Sequence, residues 1–83
     1  MPVIFHYRGC RFLFYSNEGM PREPAHVHVR QGTKIAKFWL RPEVRLANSY
    51  GFAAAELNNF AREVDRQREL IERKWDEYFS HLS

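Results

Sequence analysis

The sequence predicts an α+β domain in which about four antiparallel strands, arranged as two hairpins, precede one long C-terminal helix packed on the sheet. Three observations lead there. Residues 3 to 40 contain four short runs in which β-branched and aromatic residues alternate with polar ones, paired off by the glycine turns Arg8-Gly9 and Gln31-Gly32. From Phe52 the spacing changes: Leu57, Phe60, Val64, Ile71, Trp75, Tyr78 and Leu82 step by three, four or seven, the apolar stripe of an amphipathic helix. No Pro or Gly interrupts residues 52 to 83. The 83 residues therefore read as a single domain, 1–83, with two hairpins over 1–40, a connector over 41–52 and a helix over 53–82.

The first hairpin joins Val3 to Tyr7 with Cys10 to Tyr15 across Arg8-Gly9, where Gly supplies a positive φ. A two-residue turn sets Tyr7 opposite Cys10, Phe5 opposite Phe12 and Val3 opposite Phe14 as one apolar face, with His6 across from Arg11 and Ile4 across from Leu13 on the other. Ser16 to Glu23, with Asn17, Gly19 and Pro21, reads as a loop. In the second hairpin, Pro24-Ala25-His26-Val27-His28-Val29-Arg30 leads through Gln31-Gly32 to Thr33-Lys34-Ile35-Ala36-Lys37-Phe38-Trp39-Leu40. A turn at Gln31-Gly32 pairs His26 with Lys37, Val27 with Ala36 and His28 with Ile35. Strand alternation then gives Ala25, Val27, Val29, Ala36, Phe38 and Leu40 to the core and gathers His26, His28, Arg30, Lys37 and Trp39 on the outer face. Arg41-Pro42 ends the fourth strand, and the connector to Gly51 is expected to hold at most one helical turn through Val44 and Leu46. The helix is expected to run unbroken, with Gln67 the one place for a bend, and His81 suits its C-terminal dipole.

Composition narrows the setting. Apolar residues make up 45% of the chain and include seven Phe, four Tyr and two Trp, enough for a folded core. The single cysteine, Cys10, forms no internal disulfide and belongs to no cysteine metal cluster, which fits a reducing compartment. With no basic, apolar leader and no run of membrane-spanning length, the expected location is the cytoplasm, with no membrane partner. Residues 1 to 52 carry eight Lys/Arg against three Glu, net +5, while residues 53 to 83 carry five against seven, net −2. A polyanion would thus meet the sheet half first.

The chemistry that the pattern can support lies on the outer sheet face. His26 and His28 are candidate general acid and base, since an unperturbed imidazole titrates near neutral pH. Arg11, Arg30 and Lys37 are candidate phosphate contacts, and Trp39 or Tyr15 can stack a base, a set suited to a metal-independent ribonuclease. An HxH pair on a strand can also ligate a metal, with His6, Glu18 or Glu23 as third ligand, although no metal is favoured and no cofactor is expected. Cys10 among phenylalanines reads as a small core residue, and Trp75, Tyr78 and Phe79 as helix-to-sheet core. No phosphate-cradling glycine loop, nucleophile elbow or pair of catalytic carboxylates is present.

The segments Met1-Pro2-Val3-Ile4, Phe14-Tyr15-Ser16-Asn17-Glu18, Pro24-Ala25-His26-Val27-His28-Val29, Ala36-Lys37-Phe38-Trp39-Leu40-Arg41-Pro42 and Trp75-Asp76-Glu77-Tyr78-Phe79 together resemble the small bacterial domain-of-unknown-function family 4160 over nearly the whole chain. That family's hallmark is a Pro-Pro-His-hydrophobic-His-Val strand. Here Ala25 replaces the second proline. Ala53-Ala54-Ala55-Glu56 likewise stands where similar sequences begin their helix with Ser-x-x-Glu, so the capping hydroxyl is missing. The resemblance implies a gene setting beside a second small protein in toxin–antitoxin-like pairs, and it transfers no reaction. The expectation is a component of such a pair, the toxin, acting on RNA or translation through the histidine face, with a small cognate protein partner and homodimerisation open. One alternative is a non-enzymatic module that binds a partner protein through the outer face with Ile4, Leu13 and Trp39. The other is a metal-binding protein.

Overall fold

A computed structural model of the chain describes residues 3–15 and 23–79. Five antiparallel strands form one sheet in the order β1-β2-β3-β4-β5: β1 (Val3–Tyr7), β2 (Cys10–Leu13), β3 (His26–Gln31), β4 (Lys34–Trp39) and β5 (Arg45–Tyr50). Two helices follow, α1 (Ala54–Arg66) and α2 (Arg68–Phe79). The fold class is α+β as expected, with one strand and one helix more than the sequence suggested.

The extra strand is β5, where the sequence predicts a connector with a helical turn. Its residues, Arg45-Leu46-Ala47-Asn48-Ser49-Tyr50, show no apolar alternation because β5 is an edge strand and mostly exposed. Pairing with β4 recruits it: Ile35 faces Tyr50, Lys37 faces Asn48 and Phe38 faces Leu46, with a register shift between Lys37 and Phe38. Main-chain hydrogen bonds to a ready neighbour do not depend on apolar side chains, so tertiary context overrides the weak β propensity of Asn and Ser.

The turns also differ in detail. In the first hairpin both Arg8 (φ 52) and Gly9 (φ 76) occupy the left-handed region, as a type I′ turn requires. Tyr7 lies opposite Cys10 and Phe5 opposite Phe12 as expected, but a register shift between Val3 and Phe5 sets Val3 opposite Leu13 rather than Phe14. The second turn falls on Gly32-Thr33, one residue later than predicted, so Gln31 still belongs to the ladder and faces Lys34. His26 then faces Trp39 and His28 faces Lys37. Partners move by two residues, which leaves every side chain on its expected face.

The core lies between the inner sheet face and the helices. Ala25, Val27, Val29, Ala36, Phe38 and Leu40 are buried there with Cys10, Phe12 and Phe14, against Phe52, Phe60, Val64, Ile71, Trp75 and Phe79. Phe60 meets Tyr7, Phe12 and Phe52 edge-on, and Phe14 packs against Trp75 and Phe79. Cys10 is part of this core, and burial pushes its thiol pKa up, with Glu56 adding to the rise and Lys34 opposing it.

The break between the helices corrects the expectation of one long helix. Gln67 (φ −102, ψ 17) leaves helical geometry, while its N–H donates to Glu63 O and its own carbonyl accepts from Ile71 N–H, both at 3.0 Å. The chain bends with these two hydrogen bonds kept across the joint, and both Val64 and Ile71 are buried in the core. Glu63 braces the joint from a buried position, accepting from Arg66 (2.7 Å) and from Gln67 Nε2 (2.7 Å). Glu72 ties the helix to the strand connector, accepting from Arg41 and Arg68, while Arg68 also donates to the Pro42 carbonyl. At the start of α1 Ala53 has no hydroxyl to cap with, yet the Glu56 carboxylate accepts from Ala53 N–H at 2.9 Å, so half of a capping box persists.

Candidate functional site

The outer face of the sheet is built in cross-strand rows. Pairing places His6, Arg11, Arg30, Ile35 and Tyr50 in one row across all five strands. Leu13, His28, Lys37 and Asn48 form the next, and His26, Trp39 and Arg45 the third. Successive rows lie about 7 Å apart along the strands. Arg30, Lys37, Trp39, His26 and His28 thus do share a face, as alternation predicts.

They do not share an environment. His26 is wholly buried, 0% exposed, because it opens β3 at the end of the sheet, where Trp75 of α2 reaches it. Its ring meets Trp75 at 4.9 Å, Trp39 at 5.4 Å and His28 at 5.1 Å between centroids. Nδ1–H donates to the Pro24 carbonyl (2.9 Å); a carbonyl only accepts, so this contact fixes the proton on Nδ1. His28, two residues on, is half-buried and stacks at an angle on Tyr15, ring centroids 4.4 Å apart. Alternation sees that the two imidazoles face the same way, but it does not see the helix residue that closes over only the first.

The cations of this face fall into two groups. Lys37 pairs with Glu23 (3.1 Å) and lies over the Trp39 ring (4.4 Å to its centroid). Arg45, beside Trp39, pairs with Glu43 (3.2 Å). Arg11 and Arg30, directly opposite one another, meet no carboxylate among the described residues. Arg30 Nη1 donates to the Tyr15 hydroxyl at 3.4 Å, while its Nε is buried with no hydrogen-bond partner among the described residues. Next to Trp39 a groove of about 370 Å³ is lined by Pro24, Trp39, Arg41, Pro42 and Arg45. The sequence pattern missed this groove, since Pro42 and Arg45 become its wall only once β5 folds back beside β4.

The remaining candidates are spread out. His6 is exposed on β1, two strands and one row away from His28, a separation of about 12 Å from strand and residue spacings. No group of three His, Cys, Asp or Glu able to hold a metal occurs among the described residues. Glu18 and the loop residues Ser16 to Arg22 lie outside the described residues, as does His81. Leu13 is buried rather than displayed, and Ile4 is half-buried against the core. Among the described residues no helix is long and apolar enough to cross a membrane.

Neither the curated proteins nor the solved structures contain a match to this chain. A family model does match, described as a domain of unknown function (DUF4160), and it spans residues 9–76, from the first turn through the outer-face rows to Trp75 and Asp76 of α2. By that match over most of its length, the chain belongs to the DUF4160 family.

Proposed function

We propose that this chain is the toxin of a toxin–antitoxin-like pair and acts on RNA through the outer face of its sheet. One observation carries the reading: His28, Tyr15, Arg30 and Arg11 stand together, with Lys37 directly opposite His28 and with Trp39 and its groove one row beyond. Basic side chains engage phosphates and aromatic rings stack unpaired bases, which is how sheet surfaces hold single-stranded RNA. His28 is the proton carrier of this face. It takes the proton of a ribose 2′-hydroxyl as that oxygen bonds to the adjacent phosphorus, and returns it to the 5′-oxygen as the P–O5′ bond breaks. The products are a 2′,3′-cyclic phosphate and a free 5′-hydroxyl, with no water or metal consumed. Arg11 and Arg30 offset the charge that builds on phosphorus. His26, buried and anchored to Pro24, holds the start of β3 and the Trp39 ring in place.

The test is induced expression in a bacterial host, comparing wild type with His28→Ala and His28→Asn while following growth and total RNA. Growth arrest with RNA cleavage in the wild type, lost in both variants at unchanged thermal stability, is expected. Arrest undiminished in both folded variants overturns the assignment of His28.

A second reading is favoured by a separate observation. Ile35 and Tyr50, 40% and 68% exposed, face each other on the outer side where β4 meets β5, and Leu46, 41% exposed, lies on the opposite face of β5, whose outer edge pairs with no strand among the described residues. Such an edge suits strand addition by a small cognate protein. In this reading the chain is a binding module. Co-purification of a partner that survives His28→Ala but is lost on Ala47→Pro, in a wild type with no effect on RNA, would favour it over the toxin.

A further inference from the structure

We propose that Arg11 and Arg30 form a seat for a single phosphate group, as a phosphomonoester or a phosphodiester. The seat rests on the RNA reading only for the source of that phosphate. Three features of the row point to an anion. First, the two guanidinium-bearing residues are direct cross-strand partners on β2 and β3, a placement in which like charges repel. His6, opposite Arg11, extends the basic row to β1, so that three basic side chains span about 10 Å of sheet. Second, on this face Lys37 and Arg45 each meet a carboxylate, whereas among the described residues the opposed pair meets none. Glu23, on the same side of the sheet, is held by Lys37. Third, Arg30 is half-buried and held by the Tyr15 hydroxyl, and its buried Nε has no acceptor among the described residues. A buried donor without a partner is costly, and a bound oxyanion accepting from the fork would offset both that cost and the repulsion. The planar fork explains why arginine occupies both positions: two forks reading one tetrahedral anion give a geometry that lysine does not offer.

The experiment is an NMR titration of the full chain, following the arginine Nε–H resonances at fixed ionic strength. The probes are inorganic phosphate, a uridine dinucleotide with one phosphodiester, and uridine as a phosphate-free control. Saturable shifts at Arg30 with phosphate and the dinucleotide, and none with uridine, are expected. Arg11→Gln or Arg30→Gln should weaken binding about tenfold, the loss of one charge-assisted bond. Arg30→Lys should fall between, and Arg73→Gln, an equal charge change on α2, should leave binding as it was. Phosphate binding without dinucleotide binding keeps the seat and removes the RNA source. Dinucleotide binding insensitive to Arg11→Gln and Arg30→Gln overturns the seat and leaves the RNA reading standing. No saturable shift with either phosphate probe, or equal weakening by Arg73→Gln, overturns the seat.

Discussion

Replacing His26 separates its place in the packing from any part in chemistry. His26→Ala removes a ring that is fully buried against Trp39, Trp75 and His28, together with the hydrogen bond to Pro24 O. Truncating a buried Phe to Ala costs about 3–5 kcal/mol; an imidazole is smaller, and its hydrogen bond contributes about 1 kcal/mol net, so about 2–4 kcal/mol is expected. His26→Phe keeps the ring contacts and forfeits the hydrogen bond while forcing in a larger ring, for about 1–2 kcal/mol. The order Ala worse than Phe therefore reports packing, and the residual cost of Phe reports the polar contact. Urea unfolding followed by tryptophan fluorescence is well suited, because the chain's two tryptophans are the two indoles that touch His26. In a domain of this size each kcal/mol moves Tm by about 4–8 °C, so the Ala variant should melt lower by about 8 °C or more. A cost below about 1 kcal/mol for His26→Ala, at unchanged m-value and emission, would refute the view of this residue as packed structure. Loss of growth arrest in that same stable variant would return His26 to the reacting groups.

Further outcomes follow from the geometry. Arg30→Gln and Arg11→Gln should each stabilise the free protein slightly, by about 0.2–1 kcal/mol in low salt, because one of two opposed like charges is gone; thermal melts of both variants check this. Arg8→Asn should raise stability by about 0.5–1 kcal/mol, since Arg8 is a non-glycine residue at φ 52 in a turn that favours Asn-Gly, whereas Gly51→Ala should cost about 1–3 kcal/mol, as φ is 89 and the new Cβ would meet Lys34 Cγ at 2.9 Å; chemical denaturation resolves both. For Glu63, burial pushes its carboxyl pKa up, but the hydrogen bonds from Gln67 and Arg66, with the Arg66 charge, outweigh it and leave the value below the ordinary carboxylate range. Glu72 is lowered in the same sense by Arg68 and Arg41 against its own desolvation. A depressed folded-state value contributes stability that is present above the unfolded carboxylate pKa and disappears as pH falls through the folded one. Denaturation from pH 6 to pH 2 should therefore show an acid-side loss of stability that is smaller in Glu63→Gln. Cys10, buried with a raised pKa, should react with a thiol reagent only as fast as the chain opens, so its rate should rise with urea well before the bulk transition.

The sequence by itself determined what repeats along the chain. Period-two alternation assigns Ala25, Val27, Val29, Ala36, Phe38 and Leu40 to the core, and glycine spacing locates both hairpins. Helical spacing places Phe60, Val64, Ile71 and Trp75 on one buried stripe, and all ten are buried in the fold. These properties are local, because a pleat or a helical turn fixes side-chain direction from backbone geometry alone. Only the tertiary structure decided the rest. β5 exists because β4 offers it an edge to pair with, not because Asn48 and Ser49 favour strands. The helix divides at Gln67 because both halves must turn an apolar stripe onto one short sheet, a demand to which Glu63 and its two hydrogen-bond partners answer. His26 and His28 read alike in the sequence and differ in the fold because Trp75, forty-nine residues beyond His26, closes over one of them. Arg11 and Arg30 face each other for a similar reason: the pairing of β2 with β3 brings together two residues whose charges give them no cause to meet. Side-chain direction is a property of neighbours in sequence, whereas burial and charge proximity are properties of neighbours in space.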